Sequence, residues 1–80
     1  MERDLAKLVA ITAFESAAGL NNLIPLLKQR CDEREYRELS LAIATSSAEI
    51  SLQIINKMFA IYPDMKTEFD AHVQKFGRPF

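Results

Sequence analysis

Apolar positions recur along the chain with a helical period, and breaks are few. From Glu2 to Arg30, the residues Leu5, Leu8, Val9, Leu20, Leu23, Leu26 and Leu27 fall within about 60° of one direction on a wheel of about 100° per residue. This predicts a first helix over residues 2–30. Pro25 removes one hydrogen bond and crowds the carbonyl of Asn21, so a kink is expected near Asn21 to Pro25. The alternative is a new helix capped by Asn22, with Pro25 in its first turn. The leucines after Gly19 stay in phase with those before it, which favours one kinked helix.

Asp32 follows as a good N-cap, and Glu35 stands three residues on, the spacing of a capping box. A second helix is expected from Glu33 to about Tyr62. Its stripe is Tyr36, Leu39, Ile43, Ser47, Ile50, Ile54, Met58 and Ile61. Pro63 ends it, because a residue before proline avoids helical angles. A short third helix, residues 64–76, carries Met65, Phe69, Val73 and Phe76 on one face. Gly77 is a plausible C′ residue, and Pro79 follows as a stop.

The link at Cys31-Asp32 is short, so the long helices should be antiparallel neighbours. Pairing positions whose numbers sum to about 63 sets Leu27 against Tyr36, Leu20 against Ile43, and Leu5 against Met58. At mid-length both stripes turn small and weakly polar: Thr12 and Ser16 meet Ser47 and Ser51. Such a waist suits close helix approach, with hydroxyls bonded back to their own carbonyls. It also allows a small polar cavity that holds water or a ligand.

The second helix carries a further apolar strip, Leu41, Ala48, Leu52, Ile55 and Phe59, centred roughly 130° from the first. Ile11 and Phe14 lie off the main stripe of the first helix. A third helix of about 20 Å covers under half of a hairpin of about 43 Å. The remaining apolar surface is too large to leave wet. The fold class expected is therefore all-α: a long antiparallel hairpin plus a short third helix, dimerising into a four-helix-bundle-like assembly. The residues expected to meet a partner are Leu41, Leu52, Ile55, Phe59, Ile11 and Phe14. A homodimer is the first expectation for that partner, and a different protein the second.

Composition narrows the function classes. Hydrophobic residues make up 49% of the 80 positions and charged ones 26%, a globular balance. Ten basic and eleven acidic residues give a net charge of −1, with no global pull toward nucleic acid or an anionic membrane. No apolar run has the roughly 20 residues of a membrane span. The start, Met1-Glu2-Arg3-Asp4, lacks the basic n-region of a signal peptide. A single cysteine, Cys31, forbids an intrachain disulfide, so a reducing cytoplasm is expected.

Asp64, Glu68 and His72 share one face of the third helix, yet His72 is the only histidine and the spacing is not the Glu-x-x-His of di-iron bundles. No metal or cofactor is expected. Cys31 sits between Arg30 and Arg34 but also beside Asp32 and Glu33, which oppose thiolate formation. Lys28, Arg30, Arg34 and Arg37 are interleaved with acids, unlike a nucleic-acid patch. Phe76 is expected to close the third helix onto the hairpin, leaving Phe80 to fray. Glu15, Gln53 and Lys57 lie at the stripe margins and do not converge within one subunit. No phosphate-binding loop, nucleophile elbow or catalytic triad is present in the sequence. The reading is a non-enzymatic interaction module. A small helical enzyme or ligand binder using the waist of Thr12, Ser16, Ser47 and Ser51 is the alternative.

Overall fold

A computed structural model describes residues 1–77. All regular structure among these residues is helical: α1 (Arg3–Asn21), α2 (Ile24–Arg30), α3 (Glu33–Ile50), a π-helical segment (Ser51–Ile55), α4 (Asn56–Ile61) and α5 (Pro63–Phe76). They form three rods. The first is α1 with α2, the second is α3 through α4, and the third is α5. Arg78, Pro79 and Phe80, including the expected stop at Pro79 and the fraying of Phe80, lie outside the described residues.

Hydrogen bonding is interrupted between α1 and α2, but the chain does not reverse there. Asn22 (φ −67°, ψ −15°) and Leu23 (φ −76°, ψ −23°) keep right-handed helical dihedrals. Asn22 N–H donates to the Ala18 carbonyl at 2.9 Å, and Leu23 N–H closes a tighter turn, onto the Leu20 carbonyl three residues back, at 3.1 Å. Pro25 stands in the first turn of α2, where a missing N–H costs little. No side chain caps α2, so Asn22 does not act as an N-cap.

The hairpin tip follows its local chemistry. Glu35 N–H donates to Asp32 Oδ1 at 2.8 Å, and Asp32 N–H donates to Glu35 Oε1 at 3.3 Å, which completes a capping box for α3. At the other end Tyr62 leaves the helical region (φ −127°, ψ 84°), and Pro63 opens α5. Gly77 takes the left-handed conformation (φ 73°) and donates its N–H to Val73, closing α5.

The seam of the hairpin differs from the expected leucine stripe. Ala6, Ala10 and Ala13 are buried, whereas Leu5 and Leu8 are 48% and 58% exposed. With Ala10 as zero on the wheel, Ala6, Ala13 and Ala17 lie within about 60° of it. The leucines Leu5 and Leu20 stand about 80–140° to one side. Arg3, Lys7, Phe14 and Ala18 stand about 20–80° to the other, and this is the side that α5 covers. Alanine has the least bulk to separate the rods, and the space it leaves is filled by Met65 of α5, which is fully buried with Ala6, Ala10 and Met58.

The second rod changes phase part-way. The π-helical segment admits one extra residue into a turn, and this sets every later side chain back by about 100° relative to an unbroken α-helix. Ile54 and Ile61, expected in the first stripe, are exposed. Ile55 and Phe59, expected in the second strip, turn inward instead: Ile55 is buried and Phe59 packs against the core. The two strips are thus spliced into one inward face. Phe69 of α5 completes it, with ring centroids 5.4 Å from Phe14 and 5.3 Å from Phe59, both edge-to-face.

Candidate functional site

α5 divides the hairpin into a covered part, an open groove beyond it, and a back face that it never reaches. The groove continues the line of α5 toward the hairpin tip. It is lined by Phe14, Ala17, Ala18 and Asn21 of α1, and by Ala44, Ser47, Ala48, Ser51 and Ile55 of the second rod. Its volume is about 420 Å³, and it is open to solvent rather than enclosed. Ser47 is buried, and its hydroxyl donates to Asn21 Oδ1 at 3.1 Å, with the Ala17 carbonyl at 3.5 Å. Ser47 therefore sits opposite Ala17 and Asn21 rather than Ser16. Thr12 and Ser16 are exposed on another face of α1, where Ser16 Oγ donates to the Thr12 carbonyl at 2.8 Å. Of the four waist residues, Ser47 and Ser51 share the groove, and Thr12 and Ser16 stand apart from it.

The six apolar residues named from the sequence divide in the same way. Ile55 is buried, Phe59 is half-buried against the core, and Ile11 and Phe14 are half-buried, Phe14 on Phe69. Leu41 and Leu52, 69% and 58% exposed, remain on the surface.

The back face is the larger apolar surface. On α1 and α2 it presents Leu5, Val9, Leu20, Leu23 and Leu27, and on the second rod Leu39, Ile43, Ile50, Ile54 and Ile61. These ten fall on the flank of each rod turned away from α5, once the phase step at Ser51–Ile55 is included. Leu5, Leu23, Leu39, Ile54 and Ile61 among them are exposed. Thr12 and Ser16 fall on the same flank and interrupt the α1 row at mid-length, where charge is almost absent. Between Leu8 and Leu27 the one charged residue is Glu15, and between Leu39 and Asn56 it is Glu49. On the wheel Glu15 points away from the back face, whereas Glu49 lies at its edge, one turn from Ile54. Sequence periodicity identified these side chains as apolar but assigned them to the seam between the rods. The signal that separates the two roles is the alanine row Ala6, Ala10, Ala13 and Ala17, which also has helical spacing and is the better fit to a close seam.

Charged groups cluster instead at the two ends. Arg3 contacts Asp64 at 2.9 Å and Glu68 at 3.1 Å, and Lys7 contacts Glu68 at 2.7 Å. The guanidinium of Arg3 also lies over the Tyr62 ring at 5.4 Å, and the Tyr62 hydroxyl donates to the Met1 carbonyl. The hydrogen bond from Arg3 holds the Asp64 carboxyl below its ordinary pKa, and that from Lys7, followed by that from Arg3, does the same for Glu68. Two members of the Asp64-Glu68-His72 face thus serve to dock α5. The His72 ring lies 4.6 Å from that of Phe76. No group of three metal-ligating side chains occurs among the described residues. Phe76 is 56% exposed and does not close α5 onto the hairpin; its ring lies against His72 and Lys75 of its own helix.

At the tip, Arg34 pairs with Glu38 at 3.3 Å and Arg37 with Glu33 at 2.7 Å, both one helical turn apart. Cys31 is half-buried at the end of α2, beside Lys28, Glu33, Tyr36 and Arg37. Glu15, Gln53 and Lys57 are exposed. No helix of the described residues is long and apolar enough to cross a membrane. Comparison with protein-family models, with curated proteins and with solved structures found no match.

Proposed function

We propose that this protein is a non-enzymatic helical interaction module that works in the cytoplasm as a homodimer, its hairpins joined in a four-helix-bundle-like assembly. The observation that carries this reading is the uncovered, charge-poor back face, whose leucines and isoleucines are interrupted only by small polar residues, Thr12 and Ser16 of α1 among them, at mid-length. A face of that kind is costly to leave in water and fits contact with another protein. The shape agrees with it. The radius of gyration is 14.7 Å, against about 12 Å expected for a compact chain of this length. The cytoplasmic assignment is supported by the lone thiol of Cys31, which stays reduced there.

The groove beyond α5, with Ser47 and Ser51 on its wall, supports a second reading, that of a ligand binder. Its openness and the pairing of Ser47 with Asn21 favour the first. Light scattering on the eluting protein tests the proposal. The expected mass at micromolar concentration is twice 9.1 kDa. A well-behaved monomer would overturn it.

A further inference from the structure

We infer that the second copy seats on the back face, with Leu5, Leu20, Leu39, Ile43, Ile50 and Ile54 at the contact, and leaves the groove and Leu41 and Leu52 outside it. This rests on the homodimer reading above and names the surface that reading requires.

Three observations select the occupant and the face. The first is area. The chain exposes 5733 Å², whereas a compact monomer of its mass exposes about 4,900 Å². The surplus of several hundred Å² is of the order of the roughly 800 Å² that each partner contributes to a standard interface. Burial of that much surface in a copy of the same chain restores an ordinary exposure without any further partner.

The second is the distribution of charge. A twofold interface brings each patch onto its own copy, so any charge inside it meets a like charge or a desolvated partner. The middle of the back face comes close to that condition: Lys7 is turned toward Glu68, Glu15 points away, and Glu49 stands at the edge beside Ile54 rather than among Leu39, Ile43 and Ile50. The third is the division of labour between faces. α5 already occupies the front, and the open groove beside it is lined by alanine and serine with few large side chains to anchor a partner. The back face supplies leucine and isoleucine from both rods, the composition that packs as the interior of a bundle. The leucines that periodicity marked as core are core in this account, but between protomers rather than between rods.

Two double variants test the face. Leu5→Lys with Leu39→Lys alters exposed back-face positions, and Leu41→Lys with Leu52→Lys alters exposed front positions, so neither disturbs the interior of the protomer. Sedimentation velocity and far-UV circular dichroism are recorded for both and for the parent. The expected result is a helical monomer for the back-face variant, with self-association weakened at least about 100-fold, and a parent-like dimer for the front variant. A back-face variant that stays dimeric while the front variant dissociates would overturn the choice of face and leave the homodimer reading standing. A monomeric parent would remove that reading itself. If the back-face variant loses its helical signal, Leu5→Ala with Leu39→Ala replaces it, and undiminished association of that folded variant would equally reject the inference.

Discussion

Truncation of Met65 measures how firmly α5 is held to the hairpin. Met65 is fully buried and is the largest side chain in that condition. Its neighbours Ala6 and Ala10 are too short to collapse into the space it would vacate, and they belong to a helix that faces the second rod along its length. Met65→Ala should therefore cost about 3 kcal/mol, within the range for large-to-alanine changes in cores that relax poorly. A domain of 80 residues has a total stability of roughly 4–12 kcal/mol, so the loss is a large share of it. The corresponding fall in melting temperature is about 12–24 °C. Thermal unfolding followed by far-UV circular dichroism at one fixed protein concentration gives the value, the fixed concentration being needed because self-association raises apparent stability. Phe76→Ala, at an exposed position on the same helix, is the control and should change stability by no more than about 0.5 kcal/mol. A fall of less than about 4 °C for Met65→Ala would refute the packing of α5 described above.

Loss of the capping box in Asp32→Ala should destabilise the protein by about 1 kcal/mol, read as a fall of about 4–8 °C in the same melting experiment. Asp64 and Glu68 have folded pKa values below their unfolded ones, so their contribution is present above the ordinary carboxylate pKa of about 4 and is lost as the pH falls through the lower folded values. The difference in melting temperature between the parent and Arg3→Gln should accordingly be largest near neutrality and close in acid; a difference that does not change with pH would contradict the Arg3 docking role. Deletion of Gln53, an exposed residue of the π-helical segment, should convert that turn to α-helix and keep Ile55, Met58 and Phe59 facing inward. Its melting temperature should stay within about 5 °C of the parent's, and a loss as large as that of Met65→Ala would contradict the phase argument.

The elements whose limits are set by local chemistry could be read from the sequence. Asp32 and Glu35 start α3, Pro63 separates α4 from α5, and Gly77 closes α5, each through backbone groups within a few residues. The all-helical class followed from the same periodicity. The orientation of the rods did not, because a wheel gives the spacing of apolar residues and not which neighbour they meet. Leu5 and Ala6 belong to equally periodic rows, and the choice between them depends on Met65, nearly sixty residues away in sequence. The extra residue at Ser51–Ile55 left no mark either, since no glycine or proline accompanies it. That single residue moved Ile54 and Ile61 out and Ile55 and Phe59 in, which redistributed the residues named as a partner surface. The groove kept Ser47 and Ser51 of the waist but not Thr12 and Ser16, for the related reason that the seam of α1 is turned toward its alanines.

Small-angle X-ray scattering on the native protein tests dimerisation through the back face, because it reads mass and shape together. Two protomers stacked through their back faces, with rods packed about 10 Å apart, keep the 45 Å length of one protomer and raise the radius of gyration from 14.7 Å to about 17 Å. The expected result is that radius together with twice the mass of one chain. A particle of 9.1 kDa, or a dimer extended end to end with a radius above about 20 Å, would contradict it.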